Sequence, residues 1–257
     1  MWKSANPSMG ALHISAIIVM VLFAVAGGFL GVKYKDDKYR SKRDRALSII
    51  GFLFIAMEIF KISFRVAVNE DADLRLISFQ VCSVPMYLLP WIAFMKEGKL
   101  KQAFLGYVSF QSFTSAFFFF VKPVAMLNTR YIAVSMQSML WHSLMVGCGI
   151  FAMVSYGFLC KKGFRIFLYS YVLWVITAVI AMITNIILIN AVPGTLVDLF
   201  YISPKTTFKY PILSIFFKSP SPYPVYFICY LVYYFIGGLM MYGIGTGITA
   251  LAGRKKK

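Results

Sequence analysis

Long apolar runs, separated by short charged stretches, set the pattern of this chain. Seven such runs lie at about 11–32, 46–68, 76–95, 102–121, 132–158, 166–190 and 224–250. A helix rises about 1.5 Å per residue, so each run is long enough to cross a hydrocarbon core of about 30 Å. The pattern predicts an all-α fold, a polytopic bundle of seven transmembrane helices forming one domain over residues 1–257. One run is unusual: SFQVCSVPMYLLPW, residues 78–91, carries Gln80, Cys82 and Ser83 followed by Pro85 and Pro90. Polar groups at membrane depth need partners from the protein, because the bilayer core supplies no water. The two prolines are expected to bend this span around a polar site.

Composition agrees with a membrane protein. Of the 257 residues 60% are hydrophobic and 14% charged, and mean hydropathy is +0.75. A soluble domain of this length needs more polar surface. The net charge of +17 is unevenly spread. The stretches 33–45, 96–101, 161–165 and 254–257 hold 17 of the 26 Lys and Arg, and the opposite connections hold seven. By the positive-inside rule the C-terminal tail is cytoplasmic and the N-terminus outside. The basic excess is then an orientation signal that also contacts anionic lipid headgroups at the cytoplasmic face, and nucleic acid is not an expected partner. The expected location is integral to a membrane, of bacterial cytoplasmic type. Ala24-Val25-Ala26 resembles a signal-peptidase site. The apolar run continues past it to Val32, so the first segment reads as a retained span.

The four cysteines, at 82, 148, 160 and 229, stand singly without a CxxC pair. Neither disulfides, a metal site nor a cofactor is expected from them. The 191–223 connection is the one long loop; it is proline-punctuated with an apolar centre, YPILSIFF. It reads as lying along the outer interface or covering a cavity mouth, or else as an ordinary packed loop.

Placed by depth, the intramembrane polar residues gather in the outer half. Glu58 and His142 fall about 15 Å below the outer ends of their spans and Cys82 about 10 Å below its own. Lys61 lies one turn from Glu58 on the same face, where the two can neutralise each other. Gln80, Gln111 and Asn185 share the outer half, and His13 sits near the outer end of the first span. The inner half reads as largely apolar. An outer-facing polar cavity follows, because a charged group costs about 2.5–3.5 kcal/mol at a helix centre unless it is answered. Alternatives stand for each residue. Glu58 with Lys61 also reads as a structural ion pair, Gln111 as interhelical glue, and Cys148 and Cys229 as small packers.

If Cys82 and His142 meet, a thiol beside an imidazole is an activated nucleophile. Glu58 or Asn185 would orient the imidazole, and Gln80 would donate to an oxyanion. The implied chemistry is acyl transfer on a membrane lipid, a phospholipid or an acyl donor reached from within the bilayer. The competing reading is a transporter or ligand-binding membrane protein using the same cavity.

Four segments carry a resemblance. FQVCSVPMYLLP (79–90), QSMLWHSLMVGCGIF (137–151), LHISAII with His13, and NIILINAVPGTLVDLFYISP (185–204) resemble, in order, motifs of the YwaF-like, or transmembrane protein 164, family. The resemblance implies a Cys-dependent acyltransferase acting on phospholipid, with the nucleophile at Cys82 and its base at His142. Where many members have Pro-Leu-His-Leu-Cys, this chain has Ser78-Phe79-Gln80-Val81-Cys82. Any mechanism that relies on that extra His does not transfer.

Overall fold

The structure is a computed structural model that describes residues 10–68, 78–116, 131–160, 162–191, 197–204, 213 and 223–254, with 11–12 and 248–254 in main chain only. Among the described residues all regular structure is helical. The helices are α1 Ala11–Lys33, α2 Arg40–Ala67, α3 Val84–Leu88, α4 Lys99–Gly106, α5 Ile132–Ser155, α6 Gly163–Ala191 and α7 Tyr223–Arg254. Five of them, α1, α2, α5, α6 and α7, are long and apolar enough to cross a membrane. Their outward faces carry bare apolar side chains such as Leu22, Phe29, Ile49, Ile187 and Ile228. Such faces suit contact with lipid.

The third and fourth apolar runs depart from the expected continuous helices. Residues 78–83 are unwound into bends and turns. Helix α3 then opens with Pro85 in its first turn, and a 3-10 turn, Leu89–Trp91, opens with Pro90. Proline lacks the N–H that a continuing helix needs and clashes with the preceding turn, so two prolines five residues apart leave only short pieces. The fourth run begins as α4 and widens into a π-helical turn, Tyr107–Ser112, before resuming over 113–116. The remainder of that run lies outside the described residues.

Helix α1 lies parallel to α5, with Gly27 opposite Gly147 and Gly31 opposite Phe151 and Val154. A Cβ on Gly27 would stand 2.2 Å from the Gly147 carbonyl oxygen, so the two main chains touch there. Small residues permit such close approach, which is what holds helices together where lipid offers no hydrophobic drive. Helix α2 runs antiparallel to α5. Its residue Arg43 reaches the Ser155 carbonyl at 2.7 Å, Phe54 packs on Trp141 at 4.6 Å, and Gln137 approaches the Met57 carbonyl. Helices α6 and α7 are also antiparallel, joined by stacked Trp174 and Tyr234 at 4.5 Å and by the Tyr171 hydroxyl donating to the Leu231 carbonyl.

The charged stretches 33–45 and 96–101 meet at the basic end of the bundle in a buried network. Helix α2 starts at Arg40, so Arg43 and Asp44 belong to a packed helix and not to a loop. Arg43, 3% exposed, donates to the Tyr34, Lys35 and Ser155 carbonyls and lies over the Tyr156 ring. Lys101, 2% exposed, is 2.6 Å from Asp44 and 2.8 Å from Glu97, and Tyr156 donates its hydroxyl to Asp44. Buried charges persist in this way only when paired and hydrogen-bonded. A cavity of about 460 Å³ adjoins the network, walled by Arg40, Arg43, Glu97 and Tyr156.

The glycine contact makes a sharp prediction. Gly27→Ala should destabilise the detergent-solubilised protein by about 1–3 kcal/mol, as overpacking does. At Gly28 an added Cβ meets only an Ile150 methyl at 3.8 Å. Gly28→Ala should therefore melt with the unmodified chain, and equal melting of both variants would refute the close α1–α5 crossing.

A buried polar site around Cys82

The unwound segment 78–83 faces the middle of α2. Glu58 and Lys61 share one face there, as their spacing suggests, and form an ion pair with Lys61 Nζ 2.6 Å from Glu58 Oε1. Ser78 completes the group: Lys61 donates to its hydroxyl at 2.7 Å, and that hydroxyl donates to Glu58. The carboxylate thus has two donors and the ammonium two acceptors, which is what a buried pair requires.

Cys82 follows two residues after Gln80 on this segment and is half-buried. Its carbonyl accepts the indole N–H of Trp141 at 3.0 Å. His142, the next residue on α5, is buried, with Nδ1 2.8 Å from the Ser138 carbonyl. A carbonyl only accepts, so Nδ1 carries a proton. Lys61 lies within electrostatic range of both the Cys82 thiol and His142, and Glu58 within range of the thiol. Cys82, Glu58, Lys61 and Ser78 are thereby gathered around one segment, and Trp141 ties that segment to the helix bearing His142.

The other predicted residues take different places. Asn185, one of two residues offered with Glu58 to orient His142, has its amide on Leu199: Nδ2 donates to the Leu199 carbonyl at 3.0 Å and Oδ1 accepts the Leu199 N–H at 2.8 Å. Gln80 donates to the Asp198 carbonyl at 2.7 Å. Gln111, wholly buried in the π-helical turn, faces Gly238 and Phe167, and neither amide atom has a partner. The α1–α5 register sets His13 beside the first turn of α5, roughly two and a half turns before His142. His13 stays half-buried there.

The sequence reading missed a strap, residues 197–203, that packs against the unwound segment. The Phe200 N–H donates to the Phe79 carbonyl at 3.3 Å, and the two rings lie 5.3 Å apart. Tyrosines of α7 hold its carbonyls: Tyr230 to Phe200, Tyr226 to Tyr201 and Tyr223 to Ile202. Phe200 and Tyr201 have φ of 58° and 56°. Left-handed backbone at a non-glycine residue costs about 1–3 kcal/mol and persists only where surroundings over-determine it. The signal available in sequence was the tyrosine spacing 223, 226, 230, 234, one helical stripe that is buried at 226, 230 and 234. Of the long loop, the strap covers an interior surface; YPILSIFF lies outside the described residues except Leu213.

A chain of membrane-length apolar helices that enclose buried ionised and hydrogen-bonded side chains is an integral membrane protein. The sequence model of the TMEM164 family matches residues 8–242, and the chain belongs to that family. No curated protein and no solved structure matches it.

Asn185→Ala should release the strap, because it strands the Leu199 N–H at about 1–3 kcal/mol and leaves the Leu199 carbonyl only the Ile202 N–H. Hydrogen exchange of the 197–203 amides is expected to quicken at least about tenfold, the equivalent of 1.4 kcal/mol. Unchanged exchange would show that Asn185 does not carry the strap.

Proposed function

We propose that the protein is a membrane-embedded acyltransferase acting on phospholipid through the Cys82 thiol, with His142 as base. The observation that carries this reading is the Trp141–Cys82 hydrogen bond at 3.0 Å, which fixes the thiol-bearing segment to the helix turn that holds the imidazole. The Nε2 lone pair accepts the thiol proton, and Sγ attacks an ester carbonyl carbon of the lipid. The C–S bond forms as the ester C–O bond breaks, and the leaving oxygen takes the proton from Nε2. The thioester then passes its acyl group to an acceptor hydroxyl by the reverse proton movements. Lys61, close to both groups, stabilises the thiolate, and its repulsion of the imidazolium helps return the proton to the leaving oxygen, while its pairing with Glu58 keeps the resting site neutral.

Selective alkylation tests this. In native membranes iodoacetamide should modify Cys82 at least about tenfold faster than buried Cys148, since the thiolate is the reactive form. The advantage should vanish in His142→Ala. Cys82 reacting no faster than Cys148 in either protein would make it a packing residue.

The same proposal places seven spans with the N-terminus outside and the basic end against anionic cytoplasmic headgroups. What supports it is the parallel course of α1 and α5, which alternating spans require, together with the charge asymmetry. Cys160, exposed at the basic end beside α6, is a built-in reporter. A membrane-impermeant maleimide should label it in inverted vesicles and spare it in intact cells. Labelling in intact cells would reverse the orientation.

A further inference from the structure

One buried cation at the basic end is only half answered. Arg43 is 3% exposed, and its Nη1 is spent on the Tyr34, Lys35 and Ser155 carbonyls. Those acceptors are neutral dipoles and cancel no charge. The other edge of the guanidinium, Nε with Nη2, is the pair of parallel donors that grips two oxygens of a carboxylate or phosphate. Nε is buried with no partner among the described residues. Nη2 reaches a carboxylate of Asp37 at 3.7 Å, too far for a hydrogen bond. The Asp37 side chain is itself 97% exposed. Asp44, the next residue after Arg43, is taken by Lys101 and Tyr156.

This edge belongs to the wall of the cavity of about 460 Å³, which Asp37 and Ser155 also line. The Ser155 hydroxyl, in a residue 1% exposed, is likewise without a partner among the described residues. Unmade buried hydrogen bonds are costly, so two such groups on one cavity wall point to a missing acceptor. Arg40, one turn before Arg43 on α2, stands on the same wall, exposed and 3.2 Å from Glu97. Helix α2 starts there with no side chain capping its first turn, so the positive end of its dipole faces the same region. Lys35 and Asp36, exposed wall residues of opposite sign, offset each other.

We propose that this cavity is a phosphate site, in which a phosphate group, free or carried by a lipid headgroup, takes the Nε–Nη2 edge of Arg43 and the Ser155 hydroxyl with Arg40 alongside. The Asp37 carboxylate is the group it displaces, at little cost because that side chain is already in solvent. The site is independent of the Cys82 chemistry, and Cys82→Ala should bind as the unmodified chain does.

Calorimetric titration of the detergent-solubilised full chain tests this with three probes. Inorganic phosphate and dioctanoyl phosphatidic acid should bind saturably, and dioctanoylglycerol, with the same chains and no phosphate, should not. Phosphatidic acid binding at least about tenfold tighter than phosphate assigns the site to a headgroup, with Val154, Phe158 and Ile166 as its apolar flank. Equal affinities assign it to free phosphate. Ser155→Ala should weaken binding about tenfold, the loss of one hydrogen bond to a charged group. It removes a hydroxyl that has no partner, so the variant should melt no lower than the unmodified chain. Asp37→Asn should tighten binding about two- to fivefold, the scale of one exposed ion pair. Arg43→Lys decides less, because it also releases three carbonyls. Absence of saturable binding by both phosphate probes overturns the inference. So does equal binding of dioctanoylglycerol, and so does binding that Ser155→Ala leaves unchanged.

Discussion

Everything at the site depends on one constraint: at membrane depth every backbone and side-chain polar group must find its partner within the protein. Four main-chain carbonyls of the unwound segment show how this is met. The Ser78 carbonyl accepts from Tyr87, that of Phe79 from the Phe200 amide, that of Gln80 from the Ser83 and Val84 amides, and that of Cys82 from Trp141. Helical continuation would have supplied these bonds locally. Pro85 and Pro90 interrupt it, and the partners come instead from α3, the strap and α5. The reward is a side-chain arrangement that no continuous helix offers, with Ser78 turned to Glu58 and Lys61 and Gln80 turned to the strap.

The strap obeys the same rule from the other side. It joins α6 to α7 with only the short 3-10 turn Leu199–Tyr201 of its own, so Asn185 and the tyrosine stripe answer the rest of its main chain. The two irregular segments therefore stabilise each other. Phe79 and Gln80 give the strap two of its attachments, and the strap gives the Phe79 carbonyl its donor, the Phe200 N–H. Strain at Phe200 and Tyr201 is tolerable because the bonds around them leave no alternative path for the chain.

Much of this was legible in sequence. Apolar run length gave the five long helices, and i, i+3 spacing gave the Glu58–Lys61 pair, since both follow from local periodicity. The polar character of 78–83 marked the segment that the site is built upon. Its unwinding was not legible, because prolines at 85 and 90 are as consistent with a kink as with a break. The buried Arg43–Asp44–Lys101 network was missed for a related reason: charge density reads as a loop unless the helix boundary is known, and α2 begins at Arg40. Asn185 was found as a polar residue at the right depth, but its partner, Leu199, lies across a proline-containing connection, and depth alone assigns no partner.

The two polar regions bear on the choice between enzyme and conduit. Along the buried face of α2 between Asp44 and Glu58 stand Leu47, Ser48, Gly51 and Phe54. Ser48 is occupied by Leu89 and Ala93, and Gly51 is so close to Pro90 that a Cβ would stand 2.5 Å from its ring. Phe54 is covered by Trp141. That face offers a hydrated solute no polar step between the Cys82 region and the basic end, where Asp44 and Lys101 are already committed to one another. The packing along this face of α2 thus separates the two polar regions.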